Sequence, residues 1–414
     1  MSSRTPVTFG LAGLGGYAGS IRNLLLLCSQ PQPGQDQAPV RLAAICEPAQ
    51  ELHAHLIQEL SGQGIRIYPS LQEMLQTDIE AVWLPVPIDL HRPFTEAALA
   101  AGKAVMCEKP AAGCIDDLDA MIRARQAARR PVAIGFQDIY DQQTLVIKRR
   151  LAEGVIGQVT HAVVRGLWAR GDQYYNRNSW AGRLKRNGVW VLDSPANNAL
   201  AHYINLPLFW LGPSPQDSAQ PLGVDAELYR ARAIESFDTC SMRIHLSQDR
   251  SLLVLYTHAC ARHDDPLIEV HGTQGRLIYR TGHETTIFKA DGSVVQTLPI
   301  DSNRHRHMVE RFVAEVRGQE DPATALATLE VARAQLLAIN GAAEATAVRA
   351  VPAASIVDAP SGSGPVRAIA GIEEAFAACA RDNRMLHEIG RFPWTTPAGH
   401  KDLAGYTHFG GPKG

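Results

Sequence analysis

The sequence lacks the features of several large protein classes. It has no uninterrupted apolar run of the roughly 18 residues that span a bilayer, and its seven cysteines include no Cys-x-x-Cys pair. Neither a membrane helix nor a zinc ribbon is therefore indicated. Charge of neither sign dominates, because 40 Lys and Arg stand against 42 Asp and Glu, for a net charge of −2. A nearly neutral chain has no global attraction to nucleic acid or to an anionic membrane, which favours chemistry on small molecules.

Two further absences bear on the compartment. The first residues, Met1-Ser-Ser-Arg-Thr-Pro, contain neither the apolar core of a signal peptide nor a twin-arginine pair. An odd number of scattered cysteines fits reduced thiols. We therefore expect a cytoplasmic protein. At 414 residues, 45% of them hydrophobic, the chain is long enough for two globular domains and a tail.

The first part of the chain alternates strand-like and helix-like segments. Strands are predicted at 7–12, 42–46, 81–86 and 132–136, and helices at 17–28, at 93–102 and from Asp116 to before Pro131. Such alternation predicts a parallel sheet that is covered by helices on both faces.

The pattern changes near Gly154. Longer strand-like runs separated by turns predict a large, open, mostly antiparallel sheet, with strands at 159–168, 241–246, 252–258, 267–270, 276–279 and 285–289. Helices are predicted at 193–211, 310–317, 325–347 and 369–389, with a Gly/Ser/Pro linker at 360–365 and an aromatic tail. The fold class is α/β, divided into residues 1–140, 141–350 and 351–414.

A glycine loop directly follows the first strand and opens the first helix. The segment Gly13-Leu-Gly15-Gly16-Tyr17-Ala18 reads G-x-G-x-x-A. Its glycines permit a tight turn and let backbone N–H groups approach a pyrophosphate, to which the helix N-terminus adds partial positive charge. Glycines also mark ordinary turns, so the position between strand and helix is what predicts dinucleotide binding.

An acidic residue ends the second strand, where a dinucleotide site needs one. Glu47 stands 34 residues after Gly13 (47 − 13), more than the usual spacing of about 20. The loop over 29–39 accounts for most of the excess. A carboxylate there accepts hydrogen bonds from the ribose hydroxyls and repels a 2′-phosphate. No Arg or Lys directly follows Glu47, so NAD is favoured over NADP.

The segment Gly102-Lys-Ala-Val-Met-Cys-Glu108-Lys109-Pro110 ends a further strand with an acid, a base and a proline. Side chains at the carboxyl ends of parallel strands line the ligand crevice. A lysine there can bind a substrate hydroxyl. Taken alone, adjacent Glu and Lys would more often be a surface ion pair.

These elements together resemble the Gfo/Idh/MocA oxidoreductases, a family named for glucose–fructose oxidoreductase and inositol dehydrogenase. The resemblance rests on the glycine loop, on Glu47, on Leu84-Pro-Val-Pro-Ile-Asp-Leu-His91, where the family reads like T-P-N-x-x-H, and on the segment 102–110, where it reads like G-K-H-V-x-x-E-K-P. It covers about 350 of the 414 residues and is densest in the first domain.

The resemblance implies a Rossmann domain that binds NAD and a second α/β domain with a large open sheet, through which family members often form dimers or tetramers. It also implies a lysine in the catalytic site, usually before a cis proline. Carried over residue by residue, it assigns Lys109 to catalysis beside Glu108, His91 to the nicotinamide, and Pro85 and Pro87 to the loop beneath it.

Family dehydrogenases also carry a D-x-x-x-H pair at a helix start in the second domain, and this chain departs from that pattern. Asp193 matches from the N-terminal side and His202 from the C-terminal side, but they are nine residues apart rather than four (202 − 193). If His202 is the family histidine, Asn198 replaces the acid; if Asp193 is the family acid, Asn197 replaces the histidine. We favour His202 with Asn198, with Asp193 capping the helix, although His202 could instead be a buried packing residue.

The stretch over 165–186 combines six cations with one acid and several aromatic and amide side chains. Aromatic faces stack on sugar rings, while amides and cations bind hydroxyls or an anionic group. A solvated basic loop or a subunit contact would have the same composition. The residues favoured as substrate contacts are Tyr175, Asn178, Trp180, Lys185 and Asn197, with Tyr174 or Tyr175 as the base if His202 is not. The cluster His258, Arg262, His263 and Asp264 lacks metal-ligand spacing, and no metal is expected.

The sequence thus predicts an NAD-dependent dehydrogenase acting on a secondary hydroxyl of a sugar, sugar derivative or cyclitol. Both neutral and anionic carbohydrates are candidate substrates. Two alternatives stay open. The first is a glycosidase that uses NAD in a transient oxidation, elimination and reduction cycle, as some relatives do. The second is a cofactor-binding sensor without turnover.

Overall fold

The computed structural model describes residues 5–31, 37–360 and 364–414. The middle of the predicted linker, 361–363, lies outside the described residues. The strands are β1 Val7–Ala12, β2 Val40–Cys46, β3 Arg66–Tyr68, β4 Ala81–Leu84, β5 Ala104–Cys107, β6 Val132–Ile134, β7 Val159–Leu167, β8 Lys185–Arg186, β9 Val189–Trp190, β10 Gly223–Arg230, β11 Thr239–His245, β12 Ser251–Thr257, β13 Asp264–Gly272, β14 Gly275–Arg280, β15 Thr285–Lys289, β16 Val294–Leu298, β17 Arg349–Ala350, β18 Ile356–Ala359, β19 Val366–Ile369 and β20 Gly399–Asp402.

The α-helices are α1 Tyr17–Cys28, α2 Ala54–Gly62, α3 Leu71–Leu75, α4 His91–Ala100, α5 Ile115–Ala128, α6 Gln142–Ala152, α7 Asp172–Tyr175, α8 Ala201–Trp210, α9 Arg304–Val316, α10 Leu329–Ala345 and α11 Ile372–Asp382. Within the described ranges, no helix is long and apolar enough to cross a membrane. All seven cysteines are buried free thiols.

The chain divides into two compact units. The first comprises Met1–Ala112, Asp117–Asp141 and Asn303–Ala332, and the second comprises Gly113–Asp116, Gln142–Ser302 and Arg333–Gly414. The domain boundaries expected from the sequence, at residues 140 and 350, stay a prediction.

The first unit contains the predicted parallel sheet. Its six strands lie in the order β3-β2-β1-β4-β5-β6, and every pair of neighbours is parallel. All four residues of β4 and all four of β5 are buried, which shows that both faces of the sheet are covered. This order places the carboxyl ends of β1 and β4, which are neighbours, at the point where the strand order reverses. Ligands bind at such a point in open α/β sheets.

The second unit contains the predicted large sheet. Its ten strands include a path of nine, β16-β15-β14-β13-β7-β12-β11-β10-β17, with β20 paired to β10. Only the β7–β12 and β10–β17 pairs are parallel, so the prediction of a mostly antiparallel sheet is confirmed.

Helices cover both faces of the middle of this sheet. On one face, a Cβ added at Gly166 in β7 would meet Leu200, just before α8, at 3.1 Å. On the other face lies α11, which is amphipathic: Ile372, Ala375, Phe376 and Cys379 follow helical spacing and are all fully buried. They pack in one cluster with side chains of β7 and β12, including Val163, Leu253 and Leu255.

Several predicted elements differ from the observed ones. A single helix over 193–211 is wrong, because a π-turn at Pro195–Ala199 precedes α8. A helix starting at 369 is also wrong, since Val366–Ile369 pairs as a strand with Ile356–Ala359 and α11 starts at Ile372. The short strand β3, the edge strands β16 and β17, and β10 and β20 were not predicted. Their sequences are short or mixed in polarity, so pattern alone does not mark them.

Candidate active site

The glycine loop takes the form that the sequence predicts. Gly13 and Gly16 have positive φ angles of 99° and 56°, which favour glycine. The N–H of Gly13 donates to the carbonyl of Cys46 at 2.7 Å. The site of a Cβ at Gly16 is open space. Tyr17 follows as the first residue of α1, whose N-terminus is capped by no side chain of the described residues, so the loop presents bare backbone at a helix N-terminus.

Glu47 lies against this loop. Its Oε2 accepts a hydrogen bond from the N–H of Leu14 at 2.9 Å, and its Oε1 accepts one from the N–H of Ala49 at 2.9 Å. The side chain is 7% exposed. His53 Nε2 lies 4.0 Å from Oε2. The carboxylate therefore fixes the turn between β1 and α1 and adds negative charge beside it. Ala18 is buried under the loop, where a Cβ on Gly13 would contact it at 3.5 Å.

The carboxyl ends of β4 and β5 hold the second group of predicted residues. The Lys109–Pro110 peptide is cis, as the resemblance implies. Glu108 is buried, and its Oε1 accepts a hydrogen bond from Trp83 Nε1 at 3.1 Å. Burial raises the pKa of Glu108 to about 7, against the opposing effects of Trp83 and Lys109. A Cβ on Gly135 would approach the Glu108 carboxylate to 2.7 Å, so this strand end is closely packed.

His91 joins these two strand ends. Its Nδ1 lies 2.8 Å from the carbonyl oxygen of Pro110 and its Nε2 lies 2.9 Å from that of Val86. The ring is buried, and burial lowers the pKa of His91 despite the carbonyl contacts. A neutral imidazole has one N–H, so one contact at a time is a hydrogen bond. The ring thus supports the loop that contains Pro85 and Pro87 and the turn at Pro110.

Asp193 is the centre of a second group of residues, all in the second unit. The side chain is 2% exposed. Its Oδ2 accepts a hydrogen bond from the N–H of Gly182 at 2.6 Å, and its Oδ1 accepts one from Asn198 Nδ2 at 2.7 Å. Arg177 lies 3.9 Å from Oδ2. Asp193 does not cap the helix. Ser194 does, since its Oγ accepts from the N–H of Asn197 at 3.1 Å, so the cap prediction is wrong.

The helix that carries these residues begins with a π-turn. The N–H of Leu200 donates to the carbonyl of Pro195, five residues earlier, which adds a residue to one turn. Asn198 faces Asp193, whereas Asn197 is fully buried, donates to the carbonyl of Val191 at 3.1 Å and lies 3.4 Å from Gln335. Such burial argues against the expected substrate contact of Asn197.

His202 lies in the first turn of α8 and is 8% exposed. Its ring is 6.2 Å from that of Tyr203. The expectation that His202 is either a base or a packing residue stays open at this position.

The other expected substrate residues have different surroundings. The hydroxyl of Tyr175 lies 3.2 Å from Nδ1 of His258. Asn178 Oδ1 accepts from the N–H groups of Trp180 and Ala181 and so shapes its own loop. Lys185 Nζ lies 3.9 Å from the centre of the Trp190 ring. Of this group, Tyr175 and Asn178 line a cavity in the second unit.

The aromatic residues of this loop stack with cations. The guanidinium of Arg177 lies 3.7 Å from the centre of the Tyr174 ring and 5.5 Å from that of Trp180. Burial raises the pKa of Tyr174, with Asp193 as a further cause. These contacts hold the loop in one conformation beside Asp193.

The structure also places together residues that sequence reasoning did not. His258 is buried, and burial lowers its pKa well below the ordinary range, with Arg170 and Arg177 adding to the effect. The other members of its sequence cluster point elsewhere: Arg262 pairs with Glu374 and His263 with Asp265. No local spacing could have indicated the contact between His258 and Tyr175.

A separate trio lies at the paired ends of β10, β11 and β20. Asp225 bridges His245 and His400 with N···O distances of 2.7 Å each, and the potential ligand atoms lie within 4.8 Å of one another. The sequence separates these residues by 20 and 155 positions, so pattern analysis could not group them. Two hydrogen bonds to one carboxylate account for the arrangement, which ties β20 to the sheet.

Comparisons with known proteins identify both parts of the chain. A family model described as an oxidoreductase family with an NAD-binding Rossmann fold matches residues 7–136. A model of the GFO/IDH/MocA C-terminal domain matches residues 144–278.

Curated relatives match over different lengths. The inositol 2-dehydrogenase of Rhizobium meliloti is 22% identical over 288 residues, which are 67% of this chain and 82% of that enzyme. The inositol 2-dehydrogenase of Klebsiella pneumoniae is 35% identical over 103 residues, which are 24% of this chain and only 30% of that enzyme.

Solved structures share the fold. The WlbA dehydrogenase from Bordetella pertussis, in complex with NADH and UDP-GlcNAcA, has a TM-score of 0.65 at 20% identity and covers 82% of this chain and 95% of its own. The aldose-aldose oxidoreductase from Caulobacter crescentus has a TM-score of 0.64 at 19% identity and covers 92% of this chain and 99% of its own.

The buried Glu108 predicts a pH dependence of stability. Its carboxyl keeps its proton in the folded state up to a pKa of about 7 but loses it near 4.5 in the unfolded chain. The folded state therefore loses stability as pH rises from 4.5 to 7 and none from this group above 7, a total of at most about 3 kcal/mol. Urea unfolding of Glu108→Gln should lack this decline, and exposed Glu51→Gln should keep it. Parallel profiles for wild type and Glu108→Gln would contradict the assignment.

The position of Glu47 predicts cofactor selectivity. Glu47→Gln keeps one oxygen for the N–H of Leu14 but removes the negative charge. We expect NADH affinity to fall about tenfold and the preference over NADPH to shrink, because a 2′-phosphate is no longer repelled. Fluorescence titration of both cofactors measures this ratio. Glu80→Gln serves as the control, because Glu80 directly precedes β4 and so lies at the amino ends of the strands, away from the glycine loop. An unchanged ratio in Glu47→Gln would refute the role.

Proposed function

Because the chain belongs to the Gfo/Idh/MocA oxidoreductase family, we propose that it is an NAD-dependent dehydrogenase that oxidises a secondary hydroxyl of a sugar, sugar derivative or cyclitol. The observation that carries the proposal is the joint presence of a glycine loop with an acidic neighbour and of a Lys-Pro pair directly after β5. The inositol 2-dehydrogenases among its relatives support the substrate class.

The residues present fit NAD. Gly16 leaves open space where a side chain would stand, so backbone N–H groups are accessible to a pyrophosphate at the start of α1. Glu47 lies beside this loop to accept ribose hydroxyls. When bound, NAD supplies a hydride acceptor. The protein itself must hold the substrate, take up the hydroxyl proton and stabilise the negative charge that develops on oxygen.

We assign the charge stabilisation to Lys109. An ammonium group at a closely packed strand end can donate a hydrogen bond to the substrate oxygen as negative charge develops on it. The neighbouring Glu108, with a pKa raised to about 7 by burial, carries less negative charge near neutral pH than an ordinary glutamate. It therefore competes less for the lysine.

We assign the proton uptake to His202 and the positioning of that region to the hydrogen-bonded pair of Asp193 and Asn198. Histidine suits a general base near neutral pH. Asp193 joins the π-turn to the loop at Gly182, so it keeps both segments in register. The substitution of an amide for the family acid leaves a glycosidase cycle as the second candidate, since this helix departs from the standard dehydrogenase spacing.

One assay with two readouts tests the proposal. Purified protein and NAD are mixed with free sugars, cyclitols and aryl glycosides, with neutral and anionic members, while reduced nicotinamide and released aglycone are followed together. Reduced cofactor in proportion to consumed substrate is expected. Aglycone release over many turnovers without net reduction would instead establish the glycosidase. Cofactor binding without either product would establish a sensor.

Variants on either side of β5 test the role of Lys109. Lys109→Ala should lower kcat by about 10²–10³-fold with NADH affinity retained, because only the charge developed during reaction loses its partner. Lys103→Ala is the matched control. Lys103 directly precedes β5, and its Nζ donates a hydrogen bond to the carbonyl of Thr77. Equal kcat in both variants would remove Lys109 from the mechanism.

We also propose that the protein acts in the cytoplasm and as a dimer or tetramer. Part of one face of the large sheet is covered by α11, so self-association would use the remaining surface. Light scattering of the full chain decides its oligomeric state.

A further inference from the structure

The second unit contains a cavity that is lined in part by Tyr175 and Asn178 and that the catalytic roles assigned above do not use. Its volume is about 1040 Å³, slightly above the usual range for small-molecule sites of about 300–1,000 Å³. The walls come from the loop over 172–183 and the turn over 230–235, with further contributions from residues 350–356 and from Arg367. This volume holds a sugar together with a large substituent.

The lining is unusually cationic. Four arginines stand against two carboxylates, which leaves an excess of two positive charges. The six residues are Arg183, Arg230, Arg232, Arg367, Asp172 and Glu235.

Two of the arginines are neutralised. Arg183 Nη1 lies 2.5 Å from Glu235 Oε1. Arg232 pairs with Asp172, and its other terminal nitrogen donates to the carbonyl of Pro365 at 2.9 Å. These pairs order the walls of the cavity.

The other two arginines make only main-chain contacts among the described residues. Arg230 Nη1 donates to the carbonyl of Ile234 at 2.6 Å, and Arg367 Nε donates to the carbonyl of Ala231 at 3.2 Å. A guanidinium has five N–H donors. Arg230 therefore keeps Nε and Nη2 available, and Arg367 keeps both terminal nitrogens. Each guanidinium is thus anchored through one nitrogen and has two nitrogens available to a ligand. Among the described residues, neither is paired with a carboxylate.

Neutral groups complete the lining and connect it to the residues assigned above. The Tyr175 ring lies 5.3 Å from the guanidinium of Arg232, and its hydroxyl is held by His258. Gly182, in the cavity wall, donates its N–H to Asp193. The cavity wall and the Asp193–Asn198 pair are therefore joined by one hydrogen bond.

We propose that this cavity binds the anionic group, a phosphate or a carboxylate, of the carbohydrate substrate, with Arg230 and Arg367 as the charge-bearing contacts. Planar forks with several free N–H donors match both kinds of oxyanion in a bidentate manner. The identification of the bound anion as part of the substrate rests on the proposed function. The anion site itself rests only on the cavity.

The first experiment measures anion binding without turnover. Inorganic phosphate and glucuronate are titrated separately into the full chain by calorimetry at constant ionic strength. We expect one or both to bind to the wild type, and the double variant Arg230→Gln/Arg367→Gln to weaken that binding by about tenfold or more. The tighter ligand identifies the phosphate or the carboxylate as the source. The control is Arg262→Gln, an exposed arginine paired with Glu374 outside the cavity.

Absence of binding by both probes would overturn the proposal, as would equal weakening by the control. The variant Arg230→Lys/Arg367→Lys keeps charge without the fork, and intermediate affinity is expected. If the glutamine variant does not fold, the lysine variant against the wild type still gives this result.

The second experiment separates the site from the function. With NAD, kcat/KM is compared for a neutral sugar and for its phosphate and uronate forms. The glutamine double variant should lower kcat/KM about tenfold or more for an anionic form while leaving the neutral sugar unchanged. Turnover with equal loss for both would overturn the inference and leave the dehydrogenase intact. Specific anion binding without any turnover would leave the site standing and refute the proposed function.

Discussion

The arrangement of the second unit's candidate site depends on one buried carboxylate. Burying an ionised Asp193 is costly unless hydrogen bonds replace its water. Gly182 and Asn198 supply two of them, and Arg177 supplies nearby positive charge. Because these partners come from the loop over 172–183 and from the π-turn, neither segment can move without exposing an unpaired charge to an apolar interior. A loop rich in arginine and tyrosine is thus held in a fixed position.

In the first unit, too, buried side chains hold the backbone in place, here at the carboxyl ends of the parallel strands. Glu47 holds the glycine loop by accepting two backbone N–H bonds, and His91 joins the loop after β4 to Pro110. In both units, the side chains that the family resemblance assigns to ligands also hold together the backbone beside them. Preorganisation of this kind lets a binding site avoid rearrangement when its ligand arrives.

The sequence predicts the parts of the site that are local in the chain. The glycine loop, Glu47 and the Lys109–Pro110 peptide lie at strand ends, and the strands are marked by continuous apolar runs. What depends on the fold is not predictable in this way. Asn198 rather than Asn197 faces Asp193 because a π-turn rotates the helix start, and no residue pattern distinguishes adjacent asparagines. Arg230 ends β10 of the large sheet and Arg367 lies in β19 of a separate two-stranded sheet, so only the tertiary fold brings them to one cavity. The packing of α11 on β7 and β12 could not be predicted either. The amphipathic pattern of this helix shows that one face is buried but not which surface covers it.

The position of α11 also sets the order in which the protein can fold during synthesis. The apolar strip on β7 and β12 that α11 covers, including Val163, Leu253 and Leu255, leaves the ribosome more than a hundred residues before Phe376 does. Until then the strip is exposed to solvent and to other chains, as exposed apolar surface in folding intermediates generally is. A ribosome that stalls or a chain that ends before residue 372 leaves this apolar strip of the sheet uncovered. The last tenth of the polypeptide therefore acts as a cover that the chain supplies to itself, and the nascent protein needs protection from aggregation until that cover has emerged.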